Sequence, residues 1–166
     1  KYTDNINYKK VSKNLKDTKI KRDKFIRSFI RPIKKKLKSF KLDFKVIGRP
    51  KSIFSIYNKM KKQNKSFEEI YDLFAIRIIL NSDISEEKTQ CWQAYSCVTD
   101  CYQPNPDRLK DWISTPKTNG YESLHTTVMS SKGKWVEVQI RSKRMDEIAE
   151  KGFAAHWKYK EKIKGG

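Results

Sequence analysis

Lys51, Ser55 and Lys59 stand four residues apart directly after Gly48-Arg49-Pro50, a spacing that puts all three on one face of a helix. Ahead of them Leu42, Phe44 and Val46 alternate with Asp43 and Lys45, which predicts a strand ending at Gly48. Pro50 then suits the first turn of the helix. Two cations and a hydroxyl close to the free N–H groups and positive dipole end of a helix suit a polyphosphate. Arg49, at the junction, could clamp a phosphate or stack on a base. A single lysine there reads as a solvated helix surface. The strand–Gly–helix context as a whole favours a site.

Three further groups could act beside it. Asp72 precedes the apolar run Phe74-Ala75-Ile76-Arg77-Ile78-Ile79-Leu80, which reads as a central strand with one charged intrusion. Asp72 and Arg77, five apart, fall on opposite sides of a regular strand. A carboxylate near a phosphate site suggests a Mg²⁺ ligand, since Mg²⁺ takes one or two carboxylates plus substrate phosphates. A lone Asp more commonly caps a strand or turn. Arg77 is harder to set aside, because a charge among isoleucines must find a partner or a cleft.

The second group is the stretch 110–125. Asn119-Gly120 is a tight turn that presents Tyr121 at the start of a strand. Lys110, Lys117, Asn119, Tyr121 and His125 together could hold a nucleotide base and its phosphates, although His125 also reads as a hydrogen-bonded structural histidine. The third is Glu137 with Gln139, polar residues on a strand whose other face carries Val136, Val138 and Ile140. A glutamate there could ligate a metal or serve as a general base for a hydroxyl, and an exposed sheet face is the plainer reading. Neither a Ser–His–Asp arrangement nor a Gly-rich Walker loop occurs.

The elements that must position these groups are mostly readable. Ile26, Phe29, Ile30, Ile33, Leu37 and Phe40 predict a basic amphipathic helix, which Pro32 should kink or split near Arg31. Ile53, Ile56, Tyr57 and Met60 give the next helix an apolar stripe, and Ser66 with Glu69 forms a capping box. Residues 86–101 read as helix. Residues 103–120 are mostly loop, with a short strand expected near Trp112 and Ile113. Runs 123–129 and 135–141 form a hairpin. A helix from about Lys143 to Lys160 buries Met145, Ile148, Ala149 and Phe153. A mixed β-sheet flanked by helices, of α/β (α+β) class, follows.

The chain has 166 residues and a net charge of +19, enough for one domain with a core. Residues 1–62 hold 22 Lys and Arg against four Asp, whereas residues 63–166 hold 16 basic and 15 acidic residues. A single domain is expected over 1–166, with a basic helical segment at 1–41 and the site-bearing sheet and helices at 42–166. Such a basic block implies an anionic partner, either polyphosphate, nucleic acid or a membrane surface, or else a solvated face. No apolar run approaches the roughly 18 residues of a membrane span. Cys91, Cys97 and Cys101 match no common zinc spacing and read as reduced packing residues, which points to the cytoplasm. The start at Lys1 suggests an excised fragment.

The runs GRPKSIFSIYNKM, YDLFAIRII, DWISTPKTNGYESLHTTV and VEVQIRSKRMDEIAEKGFAAHWKYK, in that order, resemble the synthetase domain of the RelA/SpoT homologue family. The resemblance covers roughly Asp43 to Lys160, and its last motif is similar to that of the long multidomain members. It implies a nucleotidyltransferase-like mixed sheet and transfer of the β,γ-pyrophosphate of ATP to the 3′-hydroxyl of GDP or GTP. It further implies that Arg49 and Arg77 hold adenine and that Lys51, Ser55 and Lys59 contact the ATP phosphates. Asp72 and Glu137 would bind Mg²⁺, Glu137 would also be the base, and Tyr121 would stack on guanine. Lys110, Lys117, Asn119 and His125 would surround the acceptor, with Gln139 and Arg141 filling out the shell. Arg108-Leu109-Lys110-Asp111 resembles the basic form of a motif found in bifunctional members. The hydrolase, regulatory and ribosome-contacting segments of such a protein would lie outside this chain. A basic RNA- or ribosome-binding module without catalysis is the alternative use of the same charge.

Overall fold

Phe25, Phe29, Ile30, Ile33 and Leu37 recur at helical spacing, and in the computed structural model they form the buried stripe of one helix, α1 (Lys19–Ser39). The structure describes residues 9, 10, 13, 19–50, 57, 58, 60–62, 64 and 74–152, without the side chains of residues 19, 49 and 50. Pro32 neither ends nor splits α1. It is exposed, and apolar contacts on both sides of it, Phe29 and Ile30 before and Ile33 and Leu37 after, hold the helix through the lost backbone hydrogen bond.

Six strands follow. They are β1 (Phe44–Pro50), β2 (Phe74–Leu80), β3 (Gln103–Pro104), β4 (Lys110–Asp111), β5 (Leu124–Met129) and β6 (Trp135–Ser142). The sheet order is β1-β2-β6-β5-β3, with β4 also pairing β5. Only β2 and β6 run parallel among the described pairs, so the sheet is mixed as expected. Helix α2 (Glu87–Cys101) follows a 3₁₀ turn at Ile84–Glu86, and residues 143–152 are helical as α3.

Alternation along the strands sorts the residues into two faces. Ile76, Ile78, Leu80, Leu124, Val128, Val136, Val138 and Ile140 are buried with α1 and with Cys91, Ala94, Cys97 and Val98 of α2. The opposite face carries the polar residues.

Two local expectations are corrected and a third is sharpened. The first strand does not stop at Gly48 but pairs on through Pro50 opposite Phe74, so no helix begins at Pro50. Gly48 is set by a close approach instead: a Cβ there would lie 2.9 Å from Ile26 Cγ2 of α1. Pro50 is tolerated because β1 is an edge strand. The short strand expected near Trp112 and Ile113 lies directly before them as β4, and the two residues themselves form the turn that follows, where Asp111 Oδ1 accepts from the backbone N–H of Ile113 (3.1 Å) and Ser114 (2.9 Å). Those bonds hold the Asp111 carboxyl below its ordinary value, against the opposing effect of burial. Ile148 is 38% exposed rather than buried, because Asp146 beside the buried Met145 supplies the inward contact of α3. Tyr57 and Met60 fall in helical residues, whereas Ile53, Ile56, the 66–69 capping box and Phe153 lie outside the described residues.

The cysteines pack as expected, with Cys91 and Cys97 fully buried. Burial, then the Glu87 and Glu122 carboxylates, push the Cys91 thiol up to about 12. A raised thiol pKa means that Cys91 stays protonated through the whole range below it. We therefore expect native Cys91 to remain unlabelled by iodoacetamide at pH 8 and to react once urea unfolds the chain, as read by peptide mass spectrometry. Rapid labelling of the native chain would contradict this packing.

Candidate functional site

The register of the sheet assembles one polar row. Arg77 on β2 lies across from Gln139 on β6, Gln139 across from His125 on β5, and His125 across from Lys110 on β4. A second row joins Ala75, Glu137 and Thr127. The backbone of Arg49 is paired with Ala75, at the end of that second row. Residues directly opposite in a sheet share a face, so β2, β4, β5 and β6 bring Arg77, Glu137, Gln139, His125 and Lys110 to one surface.

Side chains on this surface form a continuous chain of contacts. Gln139 donates from Nε2 to Glu137 Oε1 (3.0 Å) and accepts at Oε1 from Arg141 Nη2 (2.9 Å). Arg141 Nε lies 3.4 Å from Asp146 Oδ1 on α3. The same carboxylate oxygen takes Arg77 Nη1 at 3.2 Å, and Glu150 Oε1 takes it at 3.3 Å. Arg77 and Arg141 are only 6% and 2% exposed, so these carboxylates offset charges that would otherwise be costly to bury. The partner that Arg77 required is thus found on α3. Arg77 Nε remains buried without a hydrogen-bond partner among the described residues, leaving a donor for another group.

Next to this row stands an aromatic group. His125 Nε2 is 2.7 Å from the Tyr121 hydroxyl, and Trp112 stacks edge-on to both rings at centroid distances of 5.8 Å (Tyr121) and 4.9 Å (His125). Lys117 Nζ sits 4.0 Å above the Trp112 ring and 5.6 Å from that of Tyr121. The turn that presents Tyr121 is the expected one: Gly120 has φ +85°, and Asn119 Oδ1 accepts from Tyr121 N at 3.0 Å. Nothing in the sequence marks Trp112 for this place, since an aromatic in a loop carries no periodic signal.

His125 is neutral at pH 7. Burial pushes it down to about 4, opposed by Glu137 and reinforced by Arg141, Lys117 and Arg77. Its Nδ1 is 3.7 Å from Glu137 Oε1, which for a neutral ring is a polar contact rather than an ion pair. The carboxylate facing Nδ1 favours the tautomer with its proton there, so that Nε2 accepts from the Tyr121 hydroxyl.

Glu137 is half-buried and offers the hard carboxylate oxygens that Mg²⁺ prefers. No group of three or more His, Cys, Asp and Glu able to hold a metal occurs among the described residues. Asp72, Lys51, Ser55 and Lys59 lie outside the described residues, and of Arg49 only the backbone is placed. No described helix is long and apolar enough to cross a membrane.

Known proteins resemble this chain in sequence and in fold. It is 40% identical over all 166 residues to a GTP pyrophosphokinase of Escherichia coli (strain K12), covering 22% of that protein. Over 118 residues, 71% of the chain, it is 51% identical to a probable guanosine-3′,5′-bis(diphosphate) 3′-pyrophosphohydrolase of Synechocystis sp., covering 15% of it. The chain thus spans about a fifth of the length of such relatives. In fold it is similar to the small alarmone synthetase 1 of Bacillus subtilis bound to its product pppGpp, with a TM-score of 0.64 at 18% identity. That match covers 91% of this chain and 83% of the other. Residues 48–164 match the model described as the region found in RelA / SpoT proteins, and with the mixed sheet and its polar face in place, the chain belongs to that family.

Proposed function

We propose that the chain is a synthetase domain that moves the β,γ-pyrophosphate of ATP to the ribose 3′-hydroxyl of GDP or GTP, releasing AMP. The observation that carries this reading is the polar face itself. It sets two buried guanidiniums, a carboxylate and a neutral imidazole beside an aromatic ring flanked by Lys117. An anion-binding surface, a ring for a base and one proton acceptor are what such a transfer requires. The name carried by the Escherichia coli relative points to the same reaction.

In this reading the 3′-oxygen forms a bond to the β-phosphorus of ATP. The bond from that phosphorus to the oxygen bridging the α-phosphate breaks, and that oxygen leaves with AMP. Glu137 takes the hydroxyl proton, held in place by Gln139. Tyr121 stacks on guanine, its hydroxyl fixed by His125, and Lys110, Lys117 and Asn119 surround the acceptor and the transferred phosphates. Arg77 meets adenine through Nε and its flat guanidinium face, while Asp146 and Glu150 engage Nη1. Arg49 takes the other side of the base, and Lys51, Ser55 and Lys59 the ATP phosphates. Glu137 and Asp72 would hold Mg²⁺, which neutralises phosphate charge when bound. The basic run Arg108–Asp111 fits a parent protein that also hydrolyses the product, in the cytoplasm, with further segments outside this chain.

The chain supplied with ATP, GDP and Mg²⁺ is expected to yield AMP and guanosine tetraphosphate in equal amounts, read by anion-exchange chromatography. Tight RNA binding with neither nucleotide bound would instead favour the non-catalytic module.

A further inference from the structure

Away from the polar face a second ionic group gathers around a buried carboxylate, and no step of the proposed reaction uses it. Glu87, the first residue of α2, is 4% exposed. Arg144 Nε donates to both of its oxygens, at 2.9 and 3.1 Å, and the Ser142 hydroxyl donates to Oε2. Ser142 Oγ in turn accepts from Met145 N (3.2 Å), capping the start of α3. Arg144 then reaches with Nη1 to Glu122 Oε2 at 3.0 Å. The two carboxylates hold its guanidinium proton more tightly than usual, Glu122 foremost.

Glu122 is the residue next to Tyr121. The loop before it is exposed from Ser114 to Gly120, so its geometry depends on its anchors. On the chain side these are Trp112 N to Ser123 O (3.0 Å) and Lys117 N to Tyr121 O (3.1 Å). Ser123 Oγ also donates to Ile140 O (3.1 Å). Arg144 adds an anchor from α3. Through α3 it also links this loop to Asp146 and Glu150, the carboxylates that hold Arg77. Arg144 therefore ties the Tyr121 loop to the helix whose carboxylates hold Arg77.

We infer that Arg144, held by Glu87 and gripping Glu122, is a positioning residue that fixes the Tyr121 loop for the guanine nucleotide. This rests on the reading of Tyr121 as the base-stacking residue. Arg144 touches no substrate in this scheme; it acts through Glu122 on the ring next door. A Lys in its place could satisfy Glu87 or Glu122 but not both, because it lacks the forked donors.

The test is titration calorimetry of the full chain with GDP and, separately, with a non-hydrolysable ATP analogue. Arg144→Ala would strip a buried carboxylate of its partner and could impair folding, so the main variant is Glu122→Ala, which leaves the Glu87–Arg144 pair intact. We expect Glu122→Ala to weaken GDP binding by about tenfold, with the ATP analogue within about twofold and the melting temperature nearly unchanged. Glu122→Gln, which keeps an acceptor for Arg144, should recover most of the loss, and Arg144→Lys should fall between. Unchanged GDP affinity in Glu122→Ala, or equal losses for both nucleotides, would overturn the inference. Tyr121→Ala separates the two readings. If it weakens GDP binding and Glu122→Ala does not, the positioning role alone fails. If neither variant does, or the wild-type chain binds no GDP, the base-stacking assignment fails with it.

Discussion

Glu137→Gln is expected to reduce pyrophosphate transfer by about 10²–10⁴-fold with ATP still bound. The substitution keeps size and shape, and the new amide oxygen can still accept from Gln139 Nε2, so the row of contacts toward Arg141 survives. What disappears is the negative charge and the basicity of a carboxylate placed near both His125 and the sheet centre. The imidazole does not confuse the result. Burial already keeps His125 neutral, and loss of the Glu137 charge only lowers its pKa further, so its protonation at pH 7 stays as it is. Single-turnover assays with labelled ATP, together with equilibrium binding of an ATP analogue, separate chemistry from binding. Full activity in this variant would sink the assignment of Glu137 as base.

Asp146→Ala is expected to be the most destabilising substitution around the site, at about 3 kcal/mol. One carboxylate oxygen lies within 3.2 Å of Arg77 Nη1 and 3.4 Å of Arg141 Nε, and both arginines are buried. Removing it leaves two neighbouring cations short of their shared counter-charge. Glu150 cannot replace it, because its side chain is 58% exposed and solvent screens its pull on Arg77. For a chain of this length the loss corresponds to a fall of about 10 °C in melting temperature. Glu150→Ala should cost only about 0.5 kcal/mol on the same grounds. Urea denaturation of both variants decides the matter: equal, small effects would mean that the buried guanidiniums draw their balance from elsewhere.

These two variants also mark what a reader of the sequence could and could not see. Glu137 and Gln139 stood out because a two-residue period alternates them with Val136, Val138 and Ile140, and the sheet keeps that alternation. Tyr121 stood out because Asn119-Gly120 fixes the turn before it. Arg77 announced that it needed a partner, yet Asp146 lies 69 residues further on, and no local pattern points to it. Of the apolar face expected from Met145, Ile148, Ala149 and Phe153, Met145 is buried, whereas Ile148 is exposed and the ion pairs of Asp146 take the inward side. Gly48 read as a strand terminator because glycine more often stops strands than admits a neighbouring helix. Pro32 read as a helix break because propensity is local, whereas the contacts that carry α1 across it come from the sheet and α2. The Glu87–Arg144–Glu122 group was wholly illegible, since its three members come from separate elements.

The parallel pairing of β2 with β6 has a consequence for the order in which the protein is made. Phe74 meets Val136 and Leu80 meets Ser142 across long intervening chain, whereas β5 and β6 meet through a short hairpin. Closing a long loop costs entropy before any contact repays it, so the hairpin can zip early while β2 must dock late. His125 and Glu137 would then come together on a nascent two-stranded ribbon, and Arg77 would join them only when β2 slots in alongside β6. A polypeptide emerging residue by residue therefore lacks the polar face proposed to bind nucleotide until β6 has been synthesised, and on that reading a chain stalled before that point would be catalytically silent.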